Sequence, residues 1–354
     1  MNQPKDLSSA RWAVLMLLAV AMVGGPSLFA GASETDKPLS ATDAFEQNKR
    51  LGRGVNIIGY DPLWKDRGRS RFQAEHFRLI REAGFRHVRI NLHPFRDARP
   101  DASQKISDAW FETLDWAIEG ALANKLLVVL DFHEFNVMGR DPFGNKERFL
   151  VMWTQIAERY KDRPNEVLFE ILNEPNGKLT AELWNQFLRE ALAIIRKTNP
   201  TRTVVIGPSQ YNTIGQLDNL KLPEEDRNVI VTFHYYSPME FTHQGAPWTG
   251  QRDKVGVSWN GTPEEREAIT RAFDQAQAWS QKERRPLYLG EFGVYDKAEM
   301  SSRVRYLNCV TREAEKRGWS WAYWQFDSDF ILYDIPGKKW IEPVRDALAP
   351  PQNP

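Results

Sequence analysis

Apolar residues fall into two alternating kinds of run along most of the chain. One kind is short and nearly continuous: 54–58, 86–91, 126–130, 167–172, 203–206, 229–233, 287–290 and 319–324. Runs of this length, rich in Val, Ile and Leu, predict strands covered on both faces. The other kind is longer, with apolar positions at helical spacing: 71–83, 106–124, 146–160, 181–196, 262–279, 302–316 and 341–348. Thr180 is placed to cap the fourth of these, and Pro263 sits in the first turn of the fifth. After Gly207-Pro208 the pattern predicts only a short or irregular helix near 212–220.

Eight strand–helix units in about 300 residues predict a (β/α)8 TIM barrel, an α/β fold with parallel strands and right-handed crossovers. An open doubly wound sheet would be the other solution. Its usual signals are missing, because no strand is followed by Gly-x-Gly-x-x-Gly or a Walker sequence. The expected layout is a leader over 1–32, a short lead-in over 33–50 and one barrel domain over 51–350. The leader has Lys5 and Arg11, an apolar run from Trp12 to Val23, and a small-residue cleavage site at Ala30-Gly31-Ala32. Gly24-Gly25-Pro26 stops the run short of the roughly 20 residues a membrane helix needs. The protein is therefore expected to be secreted or periplasmic, with no membrane contact once the leader is cleaved.

Composition narrows the picture further. The formal net charge is zero, and losing residues 1–32 leaves about −1. That gives no electrostatic case for a nucleic acid partner. Cys309 is the only cysteine, so no internal disulfide forms; it falls in the 302–316 helix as buried filler. No Cys-His cluster offers a zinc site. The pattern does not set the oligomeric state, and a monomer is the simpler expectation.

In a barrel the C-terminal ends of all eight strands meet at one mouth. Strand two ends at Arg89-Ile90-Asn91, with His93 just beyond. Strand three ends at Asp131-Phe132-His133-Glu134, strand four at Asn173-Glu174 and strand six at His234-Tyr235-Tyr236. Strand seven ends at Glu291, and strand eight at Trp324. Glu174 and Glu291 would face one another across that mouth. Paired carboxyls suit glycosidic bond cleavage: one protonates the leaving oxygen, the other attacks the anomeric carbon or activates water. The donor needs a raised pKa and the nucleophile a lowered one. Arg89 and Tyr236 are placed to lower Glu291, and Asn173 to hold a sugar hydroxyl. Taken alone, each Glu is more often a cap or an ion-pair member, and Arg89 a structural partner of Glu170 or Glu291. A metal is not expected, because His133-Glu134 is followed by Phe-Asn-Val and not by a second ligand at zincin spacing.

Residues 167–175, Val-Leu-Phe-Glu-Ile-Leu-Asn-Glu-Pro, resemble the signature of glycoside hydrolase family 5, the cellulases, mannanases and related β-glycanases. The resemblance covers roughly 50–348. It implies a retaining mechanism without cofactor, with Glu174 as acid/base and Glu291, in Leu-Gly-Glu-Phe-Gly, as nucleophile. By the same resemblance Arg89 supports the nucleophile, and Asn173 and His133 bind the cleaved sugar. His234 and Tyr236 match the family's His-x-Tyr pair, and Trp324 its sugar platform. Glu134 stands where many members carry His or Asn, a difference that bears on subsite detail.

The implied substrate is a β-1,4-glucan, cellulose-like or mixed-linkage, cut internally. Mannan or glucomannan, exo action, and glycan binding without turnover are the alternatives. Trp64, Trp248 and Trp259 lie in the proposed upper loops and are candidate outer subsites. Trp116, Trp153, Trp184 and Trp279 fall inside helices and are expected in the core.

Overall fold

The computed structural model describes residues 43–98 and 104–351. The leader and residues 33–42 lie outside them. Eight parallel strands close into a barrel in sequence order. They are β1 (Arg53–Ile57), β2 (His87–Leu92), β3 (Leu127–Phe132) and β4 (Val167–Glu170), then β5 (Val204–Ile206), β6 (Val229–His234), β7 (Leu287–Phe292) and β8 (Ser320–Tyr323). All eight predicted strands are present, most with ends moved by one or two residues. The predicted helices are present too, as Ala74–Glu82, Asp108–Ala123, Pro142–Arg159, Ala181–Thr198, Pro263–Glu283, Met300–Lys316 and Glu342–Leu348. Thr180 caps its helix, accepting from Leu183 N–H. Thr262 and Glu265 form a reciprocal capping box around Pro263. No helix among the described residues is long and apolar enough to cross a membrane.

Strand residues alternate between two packed regions. Val128 and Leu130 point out to the helix layer, while Leu127 and Val129 point into the barrel with Leu168, Val205, Ile230, Tyr288 and Ala322. The floor is closed by a helix, Ala44–Leu51, inside the stretch read as lead-in. Its Ala44 and Leu51 join the interior cluster, and Asn48 donates to Leu287 O at 2.9 Å. Elements not anticipated include short helices at Pro94–Asp97, Phe135–Arg140 and Met239–Thr242, and a small hairpin of β9 (Tyr333–Asp334) and β10 (Lys339–Trp340) after the last barrel strand.

Strand register stacks the interior into layers. Asn56, Arg89, Val129 and Leu168 are paired in one row. Asn91, Asp131, Glu170 and Val205 form the next row toward the mouth. Above β1, β2 and β3 the barrel therefore changes from apolar to polar along its own axis, and the ionisable groups come last.

Candidate active site

Arg89 is the hub of the polar layer. It is fully buried, and its guanidinium donates to Glu170 twice (2.7 and 2.8 Å), to Asn56 Oδ1 (2.8 Å), to Asn173 Oδ1 (2.8 Å) and to Glu291 Oε1 (2.7 Å). Asp131 Oδ2 lies 3.1 Å away. Both partners considered for Arg89, Glu170 and Glu291, are therefore real. Burial works against its charge, but the surrounding carboxylates keep its pKa well above the usual value. One cation thus holds the ends of β1, β2, β3, β4 and β7 together.

Glu174 and Glu291 meet above it. An oxygen of each, together with a nitrogen of His234, falls within one 4.8 Å group. His234 Nδ1 lies 2.7 Å from Glu174 Oε1 and 3.6 Å from Glu291 Oε2. Tyr236 donates its hydroxyl to Glu291 Oε2 at 3.1 Å. The β6–β7 register shift between Phe233 and His234 sets His234 beside Glu291. Glu174 has φ of 42°, a left-handed conformation unusual for a residue with a Cβ. The Glu174 side chain keeps 15% exposure, so it reaches the open mouth.

Burial sets the titration of this pair. It pushes Glu174 up to about 8, with Arg89 pulling down and Asp131 and Glu170 pushing up. It pushes Glu291 up to about 7, opposed by His234 and Arg89 and reinforced by Glu174 and Asp131. The lowering expected at Glu291 is thus outweighed by desolvation. The Arg89 guanidinium bonds Glu291 directly and Glu174 not at all, which favours ionisation of Glu291 over Glu174. Burial lowers the pKa of His234, which stays neutral.

His133 Nδ1 lies 2.5 Å from Asp131 Oδ2, and its Nε2 faces Asn173 Nδ2 at 3.5 Å. Its ring is nearly parallel to that of Trp324, with centroids 5.5 Å apart. Trp324 is partly exposed. Glu134 turns away and accepts from the backbone N–H groups of Phe95 and Arg96, fastening the β2 loop.

The outer tryptophans divide. Trp248 is 54% exposed and packs edge-on against Tyr295, which leads through Phe330 to Tyr236. Trp64 and Trp259 are corrections. Trp64 stacks on Trp110 and donates to Ile58 O, and Trp259 packs on Tyr306 at 1% exposure. Both are loop anchors with no face left for a sugar. Trp153, Trp184 and Trp279 are buried, and Trp116 packs partly buried on the core, as expected of helix residues.

Several residues of the site were not singled out from the sequence. Asn56 completes the Arg89 cage beside Glu170, accepting from the guanidinium through Oδ1. Tyr60, half exposed, sets its ring against His93, His133 and Trp324. Asn212 reaches His234 Nε2 at 3.3 Å.

Glu174, His234 and Glu291 form a donor set that a cation could approach. Their atoms are already committed, however. His234 is bonded to Glu174, and Glu291 to the Arg89 guanidinium, which supplies positive charge from the protein itself.

Comparison with known proteins gives a consistent result. The family model described as Cellulase (glycosyl hydrolase family 5) matches residues 49–329. Endoglucanase H of Acetivibrio thermocellus is 32% identical over 322 residues, 88% of this chain; the chain spans about a third of that relative, 34% of its length. Cellodextrinase A of Ruminococcus flavefaciens is 29% identical, with 77% of this chain and 84% of the relative covered. Among solved structures, the endoglucanase Cel5A from the hyperthermophilic Thermotoga maritima superposes with a TM-score of 0.82 at 44% identity, covering 87% of this chain and 100% of that one. That enzyme has also been solved with cellobiose and with mannotriose.

Proposed function

The chain belongs to glycosyl hydrolase family 5, the cellulase family, and from that premise we propose that Glu174 and Glu291 are its catalytic pair. The protein is a retaining endo-β-1,4-glucanase acting on cellulose-like glucan. The observation that carries the assignment is the closeness of the two carboxyls, with an oxygen of each inside one 4.8 Å group. A separation of about 5 Å suits a covalent intermediate, whereas inversion needs about 6.5–9.5 Å to admit water between the groups.

Glu291, ionised first and held by Arg89 and Tyr236, attacks the anomeric carbon. Glu174, protonated, gives its proton to the departing oxygen. The resulting glycosyl ester on Glu291 is then opened by water, whose proton returns to Glu174. Asn173 and His133 bind the sugar being cleaved, Trp324 offers it an apolar face, and Trp248 extends the cleft. The protein works after export, outside the cytoplasm, as a monomer.

A second reading has a specific support. Cel5A, at 44% identity, has been solved with mannotriose as well as cellobiose, so this cleft accepts mannan or glucomannan as a secondary substrate. One panel assay separates the readings: reducing ends and viscosity followed together on mixed-linkage glucan, carboxymethylcellulose, glucomannan and mannan. A fast viscosity drop on the glucans is the expected result. Preference for mannan would overturn the glucan assignment, and slow viscosity loss with steady release of short sugars would overturn internal cutting.

A further inference from the structure

The loop after β5 places three consecutive residues, Gln210, Tyr211 and Asn212, at φ of 53, 62 and 55°. None is glycine, and each such conformation costs about 1–2 kcal/mol. The bend is pinned where Tyr211 N–H donates to Pro175 O at 3.1 Å, next to Glu174. Its effect is to return Asn212, fully buried, into the barrel mouth. There Asn212 Nδ2 lies 3.3 Å from His234 Nε2. Asn212 Oδ1 faces the backbone of Gly207, where a Cβ would stand 2.2 Å from it, and has no hydrogen-bond partner. In this orientation the amide presents Nδ2, its donor atom, to His234 Nε2.

That donor decides a tautomer. When Nε2 accepts from Asn212, the one proton of a neutral imidazole sits on Nδ1. Nδ1–H then donates to Glu174 Oε1 at 2.7 Å. An imidazole in that state has no lone pair to offer the acid. Resting on the acid/base reading of Glu174, we infer that Asn212 is a positioning residue: it sets the tautomer of His234 and so keeps the transferable proton of Glu174 on its other oxygen, free for the leaving group. In the first step that proton passes from Glu174 to the glycosidic oxygen as the C–O bond breaks and the bond to Glu291 forms. In the second, water gives a proton back to Glu174 as its oxygen joins the anomeric carbon and Glu291 leaves. His234 neither gains nor loses a proton in either step. The charged groups facing the pair are Arg89 on β2, Asp131 on β3, Glu170 on β4 and Glu291 on β7. Tyr236 stands beside Glu291, and none of these bonds His234 Nε2.

The test uses Asn212→Gly, which suits a positive φ and removes the side chain with its amide. Long-range proton–nitrogen NMR on the labelled protein should show His234 protonated at Nδ1 in the wild type and shifted toward Nε2 in the variant. Polymer turnover should fall roughly tenfold, a small part of what general acid–base catalysis supplies. The loss in kcat/KM should be much smaller for a dinitrophenyl cellobioside, whose leaving group needs no acid. Asn212→Asp, an acceptor in place of the donor, should cost more than Asn212→Gly. An Nε2 proton in the wild type, or wild-type turnover and pH profile in Asn212→Gly, would overturn the inference. Glu174→Ala is run beside it: if that variant keeps polymer turnover, the acid/base reading fails instead, whatever Asn212 does.

Discussion

Two arginines are buried at opposite ends of this barrel, and they are held in opposite ways. Arg202, just before β5 at the floor, donates to the backbone carbonyls of Tyr160, Lys161, Arg163, Pro164 and Val167 and to Asn199 Oδ1. Every acceptor is neutral, and burial, with Arg196 nearby, brings its pKa down to about 10. Arg89, near the mouth, faces three carboxylates and is pushed the other way. Elsewhere at the floor, other polar groups are paired too, although Tyr160 OH has no partner. His87 bonds Leu51 O and Tyr288 OH, and Ser320 donates to Asn48. At the mouth, Asn91 Oδ1, Asp131 Oδ1 and His93 Nε2 are buried without partners. Satisfied polar groups lock a structure, whereas unsatisfied ones and raised carboxyls are kept where chemistry is done. Cavity size would have pointed the wrong way. The floor holds an open cavity of about 1370 Å³ among Arg50, Arg53, Trp319 and Trp340, where Glu315 is paired with Arg53.

The sharpest way to break this contrast is to remove the groups at the mouth. Glu291→Ala should lower polymer turnover by roughly 10⁴-fold or more, and Glu174→Gln by about 10²–10⁴-fold, with near-native circular dichroism. Glu174→Gln should retain more activity on activated aryl glycosides. Turnover close to wild type in pure preparations of either variant would remove the mouth from the mechanism.

The arginines themselves test the comparison next. Arg89→Met leaves Glu170 and Glu291 facing each other uncompensated. It should cost about 3–5 kcal/mol of stability and, in the fraction that folds, at least roughly 100-fold in turnover. Arg202→Met should cost about 2–4 kcal/mol through orphaned carbonyls, with kcat per folded molecule unchanged. Urea melts and active-site titration separate the two effects. If Arg202→Met lost turnover as Arg89→Met does, the floor would not be purely structural.

How much of this could be read in advance follows the same division. The strands were legible because both faces are covered, so Leu126–Leu130 or Val229–Phe233 carry the burial in their composition. The Ala44–Leu51 helix was not, because its inward face includes Gln47 and Asn48, which bury by bonding to strand ends across the floor. The β9–β10 hairpin had a signal, Pro336-Gly337, that the strand count passed over. Trp64, Trp248 and Trp259 look alike in sequence; whether a loop tryptophan anchors or projects is settled by residues far away, such as Trp110 and Tyr306. The mouth was readable where residues act at strand ends. The 210–212 bend was not, because its left-handed conformations fall on Gln, Tyr and Asn, none of them glycine.

Titration sharpens the contrast without unfolding anything. With Glu291 at about 7 and Glu174 at about 8, kcat/KM should peak between those values. It should fall below them as Glu291 gains a proton and above them as Glu174 loses one. Stability follows with its own sign. Both folded values lie above the ordinary 4.5, so the folded chain holds protons that the unfolded chain has released. That contribution is complete below about pH 4.5 and is lost as pH rises through about 7 and 8. Glu174→Gln cannot ionise, so it should raise Tm by a few degrees at pH 8.5 and hardly at all at pH 4. An equal gain at both pH values would show that desolvation of this carboxylate is not what the mouth sacrifices.

The smallest effect expected is at the cleft's edge. Trp248→Ala removes an exposed ring, so stability should change by no more than about 0.5 kcal/mol. KM for long glucans should rise several-fold, because a stacked sugar loses its apolar face. The KM for a short aryl glycoside, which does not reach that ring, should stay the same. Trp259→Ala should do the reverse, costing about 3–5 kcal/mol with the ratio of long- to short-substrate KM unchanged. The pair discriminates because both tryptophans sit in the same connection between β6 and the Pro263–Glu283 helix, and burial is what separates them. Equal KM ratios for the two variants would mean that the exposed ring is not a sugar contact, and that the cleft ends nearer Trp324.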